Sequence, residues 1–174
     1  MRGRWQAVGV VTAARRTLAN PSALAVTFGF YAVVASTMGA LWRIAARGHG
    51  GVLAGYSATQ LTWYLATSEA VTVSLNSRLI ERIGDEIGAG AVGVELLRPA
   101  SVLGVRMAGE IGACLPRVAG CGVVGAVLAS ATGGRVVNVG SAALAVPALV
   151  LAVTCNLLAQ HAVAAASFWL RDAR

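Results

Sequence analysis

Between Pro21 and Trp42 the chain carries no charged side chain, and after Arg135 it carries none until Arg171. Such runs decide the fold class. A helix of about 20 apolar residues reaches across the hydrocarbon core of a bilayer. Hydrocarbon also forces every backbone N–H and C=O into internal hydrogen bonds, which a helix satisfies within itself. Composition agrees with this reading, because 57% apolar and 12% charged residues over 174 positions leave too little polar surface to cover a water-soluble globule. The expected architecture is all-α and polytopic, a single transmembrane domain over residues 1–174 with about four membrane-crossing helices.

Local signals place those helices. Asn20 followed by Pro21 offers an N-cap and a first-turn proline, so a span is expected over 21–42, with Trp42 and Arg43 at its far interface. A glycine-containing loop over 43–51 leads to a second span over 55–77 that carries Glu69. Ser101 is placed to cap a long helix whose spanning part covers 108–132, and the fourth span covers 139–162, tilted, kinked near Pro147 or continued past the interface. Ahead of all four, Ala7, Val10, Val11, Ala14 and Leu18 recur at helical spacing among Arg4, Arg15 and Arg16. That pattern predicts an interfacial helix over 4–19.

Charge sets the orientation. Every cation is an arginine, and alternating sides of four spans collect Arg2, Arg4, Arg15, Arg16, Arg78, Arg82, Arg98, Arg106, Arg117, Arg171 and Arg174 against Arg43, Arg47 and Arg135. The richer side is expected to be cytoplasmic, which puts both termini there. A net charge of +7 spread between apolar runs does not form a nucleic-acid surface, so no nucleic acid is expected as a partner. Without lysine there is no P-loop, and Gly88, Gly90 and Gly93 follow a charged helical segment where a dinucleotide site needs a buried strand. Cys114, Cys121 and Cys155 lack metal-ligand spacing and read as packing residues, and a cleaved signal peptide is not expected.

The segment 78–98 is the most polar in the chain. Five of the chain's seven acids, Glu69, Glu81, Asp85, Glu86 and Glu95, lie in it or shortly before it, interleaved with Arg78, Arg82 and Arg98. Leu79, Ile83 and Ile87 form one apolar stripe, Arg82 reaches Glu86 one turn on, and Arg106 has the same spacing to Glu110. The stretch reads either as a short amphipathic helix under the membrane or as a solvated connection between spans.

Its residues also resemble a known family. Asp85-Glu86-Ile87-Gly88-Ala89-Gly90, then Leu96-Leu97-Arg98-Pro99-Ala100-Ser101, is similar to the I-x-x-G … L-L-R-P-x-S pattern between the second and third spans of bacterial type-2 ABC exporter permeases. Gly55-Tyr56-Ser57 through Gln60-Leu61 to Tyr64-Leu65 resembles the opening of that family's second span, and Phe168-Trp169-Leu170-Arg171-Asp172 resembles the Phe-Trp-x-x-Asp after its fourth. The resemblance implies a permease subunit in a bacterial plasma membrane that pairs with a second permease subunit, homo- or heterodimeric, and with a cytoplasmic ABC ATPase subunit. It implies that 78–98 is a coupling segment, with Glu81, Asp85, Ile87, Gly88 and Gly90 docking on the ATPase and Leu97, Arg98 and Pro99 forming the turn into the third helix. It further implies that this chain is not an enzyme and binds no cofactor, ATP and Mg being held by the partner. Family members continue with further spans, so the last spans are expected to be missing here.

Other polar residues stay open between two readings. Glu69 fits a hydrogen bond to a neighbouring helix or a substrate or proton role, and Arg117 fits snorkelling to the interface or, with Glu69, an intramembrane polar site. Arg98 reads equally as an interfacial anchor and Pro99 as an ordinary helix-start proline. His161 lacks an acid or nucleophile partner and reads as interfacial. Small residues at Gly112, Pro116 and Gly120, and at Gly122, Ala126 and Ser130, would admit a neighbouring helix closely. The competing function is a non-transporting helical membrane scaffold or accessory subunit. A lipid-modifying membrane enzyme would need convergent His, Asp, Glu or Ser residues that the sequence does not offer.

Overall fold

Asn20 breaks the chain into two helices because its side chain competes for the backbone. Its Oδ1 accepts from the Ala23 N–H at 3.3 Å and from the Ser22 hydroxyl at 2.9 Å, while Pro21 contributes no N–H to satisfy. The result is α1 (Arg2–Leu18) followed by α2 (Pro21–Gly48). The computed structural model describes residues 2–76, 78–97, 101–131 and 139–166.

A small hairpin, β1 (Val52–Leu53) with β2 (Tyr56–Ser57), closes the α2 end through a tight turn at Ala54 and Gly55. Then come α3 (Ala58–Ser74), α4 (Leu79–Gly88), α5 (Ala91–Leu96), α6 (Val102–Ala131) and α7 (Val139–Ala166). The architecture is all-α apart from that hairpin.

By length and composition, α2, α6 and the Leu144–Ala166 part of α7 are apolar enough to cross a membrane. The chain is thus a multi-pass membrane-embedded protein. Their hydroxyls do not compromise this, since Thr27, Thr37 and Thr154 each donate to the carbonyl four residues earlier, at 2.9, 2.8 and 2.7 Å.

Two helices differ in extent from the expected spans, and a third contains a proline. The first helix of the span series does not stop at Trp42, because Arg43, Ile44, Ala45, Ala46 and Arg47 contain no helix breaker and Ala46 is buried; it ends at Gly48. The expected second span over 55–77 is a helix of 17 residues. A capping box, in which Ser57 Oγ accepts from Gln60 N and Gln60 Oε1 accepts from Ser57 N, starts it at Ala58, and extended backbone at Leu75 ends it at Ser74. Helix α7 contains Pro147 within its length. The Ser101 cap is present, with its hydroxyl accepting from Gly104 N at 3.1 Å.

Two apolar clusters hold the helices together. In the first, Tyr31 and Ala35 of α2, Ala70 of α3 and Cys121 of α6 are buried, flanked by Phe28, Val73, Val124 and Leu128. Tyr31 is wholly buried and donates its hydroxyl to the Ala66 carbonyl at 2.8 Å. In the second, Leu79 and Ile83 of α4 meet Leu157 and Ala164 of α7, with Ile87, Met107, Ile111 and Val153 around them. Most of the contact between α7 and the rest of the chain passes through α4.

The first helix lies along the front half of α6. A side chain at Gly112 would meet the Val10 carbonyl and, at 2.9 Å, Ala13 Cβ, so this glycine is what lets the two backbones approach. Gly9, Val10, Ala13, Ala14 and Thr17 form the covered side. Of the expected apolar stripe, Val10 and Ala14 join that side, whereas Ala7, Val11 and Leu18 stay exposed with Trp5 and Val8. Gly120 is filled by Phe28 of α2, while Gly122 faces open space.

Candidate functional site

Helix α4 follows from its spacing. Leu79, Ile83 and Ile87 recur every four residues, so one face is apolar, and that face is the one covered by α7. The opposite face is charged. Glu81, Arg82, Asp85, Gly88 and Gly90 are exposed, while Ile87 is half-buried in the apolar cluster. Of the five residues expected to dock a partner, four therefore share the outer surface and Ile87 belongs to the inner one.

The flank of α4 is held by ion pairs that cross between elements. Arg106 of α6 reaches Glu86 of α4 at 2.5 Å and Glu95 of α5 at 2.7 Å, and its Nε also donates to Glu95 at 3.0 Å. Arg82 reaches Glu110 of α6 at 2.6 Å and, more loosely, Glu86 at 3.8 Å. The Arg82–Glu86 pair was expected. Arg106 and Glu110, expected to pair with each other along one helix, instead turn outward to α4 and α5.

The physical reason is competition. An exposed pair one turn apart on a single helix is worth a few tenths of a kcal/mol. A guanidinium fork shared between two carboxylates in a partly covered site is worth more. Arg106 is 15% exposed and Glu110 11%, so both are largely withdrawn from water, and each needs its cross-element partner.

Gly90 joins α4 to α5 in the left-handed region, φ +73°, which most side chains adopt only with strain. Leu97 ends α5 and is 86% exposed. Arg98 and Pro99, expected to complete that turn, lie outside the described residues, as does the Phe168–Asp172 stretch.

The two intramembrane candidates do not meet. Glu69 is half-buried on α3 within electrostatic reach of Tyr31, and among the described residues its carboxylate accepts no hydrogen bond. Arg117 instead lines a cavity with Arg16, at the junction of α1 and α2. His161, expected at the interface, is buried: its Nδ1 lies 2.8 Å from the Leu157 carbonyl and its Nε2 has no partner among the described residues. It borders a cavity of about 220 Å³ under α4 and α5 that Arg106 also lines.

Glu95, Glu110 and Arg106 form one unit with α4 that spacing along single helices does not reveal. Their signal was present in the matching excess of acids over 81–95 and cations at 82 and 106. Among the described residues no group of three or more His, Cys, Asp or Glu is placed to hold a metal ion. No family model, curated protein or solved structure matches the chain.

Proposed function

We propose that this chain is the membrane-spanning permease subunit of an ABC-type exporter, which couples ATP hydrolysis in a partner to movement of a substrate across a bacterial plasma membrane. The observation that carries the reading is α4. It lies between two apolar helices in sequence, is fastened to α7 by its apolar face and to α6 by ion pairs, and leaves Glu81, Asp85, Gly88 and Gly90 outward. A helix fastened on two sides transmits displacement to the spans, whereas a loose loop absorbs it.

In this reading the ATPase sits on the outer face of α4 and holds ATP and Mg, and catalysis is its own. The helix α3 crosses as well, at the short end of the range for a spanning helix, so that α1 and α4 share the cytoplasmic side and the α2–β1 turn faces out. A second permease subunit covers part of the exposed apolar flank of α6 and α7, where Leu115, Val123, Val127, Leu144 and Leu151 are uncovered. Substrate identity is left to residues of generic apolar character.

Affinity-tagged protein solubilised from native membranes is expected to bring with it an ATPase bearing a P-loop. Reversing the outer charges in a Glu81→Arg/Asp85→Arg variant should cut that capture about tenfold, equivalent to about 1.4 kcal/mol, without lowering the variant's thermal stability. Equal capture by both proteins, or capture of no ATPase by either, would favour the scaffold reading instead.

A further inference from the structure

We propose that the cleft where α1 turns into α2 against the middle of α6 binds a phosphate group, that of an anionic phospholipid headgroup at the membrane surface. This goes beyond the permease reading and does not depend on it. The cleft is a cavity of about 230 Å³ lined by Arg16, Thr17, Asn20, Thr27 and Arg117 together with two apolar residues of α2.

Its charge is one-sided. Two arginines line one cavity, no acidic residue lines it, and among the described residues neither arginine forms an ion pair. Glu110, the acid nearest to Arg117 along α6, is taken by Arg82 at 2.6 Å. Two like charges in a cleft bordered by apolar helices repel each other, and an anion between them removes that cost.

The donors are those an oxyanion needs. The Thr17 hydroxyl donates to Ala13 O at 3.1 Å and the Thr27 hydroxyl to Ala23 O at 2.9 Å, so neither hydrogen is available. Asn20 Oδ1 is held by Ala23 N and Ser22 Oγ, which leaves its amide nitrogen as a donor. Two planar guanidinium forks and an amide match the tetrahedral oxygens of a phosphate. The positive end of α2, a helix of 28 residues, adds to the same field.

Position selects the source. The cavity lies at the start of the apolar helix Pro21–Gly48, so an α2 that enters the bilayer at Pro21 puts it at the depth of lipid headgroups, with Ala23 and Leu24 as its apolar wall.

The test uses the full chain, delipidated in neutral detergent, with native mass spectrometry after adding phosphatidylglycerol or phosphatidylcholine, and thermal unfolding with inorganic phosphate. Wild type should retain phosphatidylglycerol about tenfold better than phosphatidylcholine, and an Arg16→Gln/Arg117→Gln variant should lose that preference. Arg16 is exposed, so Arg16→Gln alone keeps the fold and should lose part of it. Arg47→Gln, an equal charge loss at the far end of α2, should lose none. Stabilisation by inorganic phosphate that depends on both arginines, without a lipid preference, would keep the phosphate chemistry but overturn the lipid as its source. Equal responses from wild type and the double variant, or an equal loss in Arg47→Gln, would overturn the site.

Discussion

Tyr31→Ala is expected to destabilise the α2–α3–α6 bundle by about 3–5 kcal/mol, the largest effect of any single substitution considered for this chain. Tyr31 is fully buried where three helices meet, among Ala35, Ala70 and Cys121, so its removal opens a cavity between helices whose small neighbouring side chains cannot fill it. The hydroxyl contributes little of this. Its bond to Ala66 O at 2.8 Å joins a carbonyl already within α3, and interhelical hydrogen bonds in membranes average about 0.6 kcal/mol. Tyr31→Phe should therefore stay within about 1 kcal/mol of wild type, leaving the ring as the source of the loss. Equilibrium unfolding in detergent separates the two variants, and a Tyr31→Ala loss below 1 kcal/mol would mean that the ring is not the keystone of the bundle.

Arg106→Gln should produce the next largest loss, about 2 kcal/mol. One guanidinium bridges Glu86 and Glu95, so its removal takes that cation from Glu95 and leaves Glu86 with only the looser contact to Arg82 at 3.8 Å. Breaking a fully buried pair costs about 3–5 kcal/mol, but these carboxylates are 35% and 37% exposed, and water reduces the penalty. Arg106→Lys keeps the charge without the fork and should lose roughly half as much. The local signature is sharper than the global one. Helix α5 has six residues and is tethered through Glu95, so hydrogen–deuterium exchange over 91–96 should rise in Arg106→Gln before any other helix responds. Unchanged exchange there would show that apolar contact alone holds the segment.

What could be read from the sequence follows from which forces act locally. The Asn20–Pro21 break, the Ser101 cap and the Leu79, Ile83, Ile87 stripe were legible because a cap or a helix face is set by neighbours a few residues away. The capping box Ser57-x-x-Gln60 was equally visible, yet Gly55 and Tyr56 read as apolar span until the hairpin claimed them. Arg106 and Glu110 show the limit. Spacing allows them to pair with each other, and only the register of α4 against α6 decides otherwise, which no single helix encodes. The cavity with Arg16 and Arg117 was hidden for the same reason, since the two arginines are about a hundred positions apart and meet only when α1 lies along α6. His161 sits in an apolar run that gives no hint of the cavity it shares with Ile83 and Ile87 of α4.

Everything proposed for α4 requires that α3, at 17 residues, crosses the membrane. Cysteine accessibility decides this directly. Cys114 and Cys121 are buried and Cys155 is exposed, so a Cys155→Ser background is quiet toward a membrane-impermeant maleimide. In that background, Val52→Cys at the α2–α3 turn should label only from outside the cell, and Gly88→Cys at the end of α4 only in inside-out vesicles. Labelling of both positions from the same side would show that α3 does not cross and end the permease reading, and labelling of Gly88→Cys from outside the cell would place α4 away from any cytoplasmic ATPase.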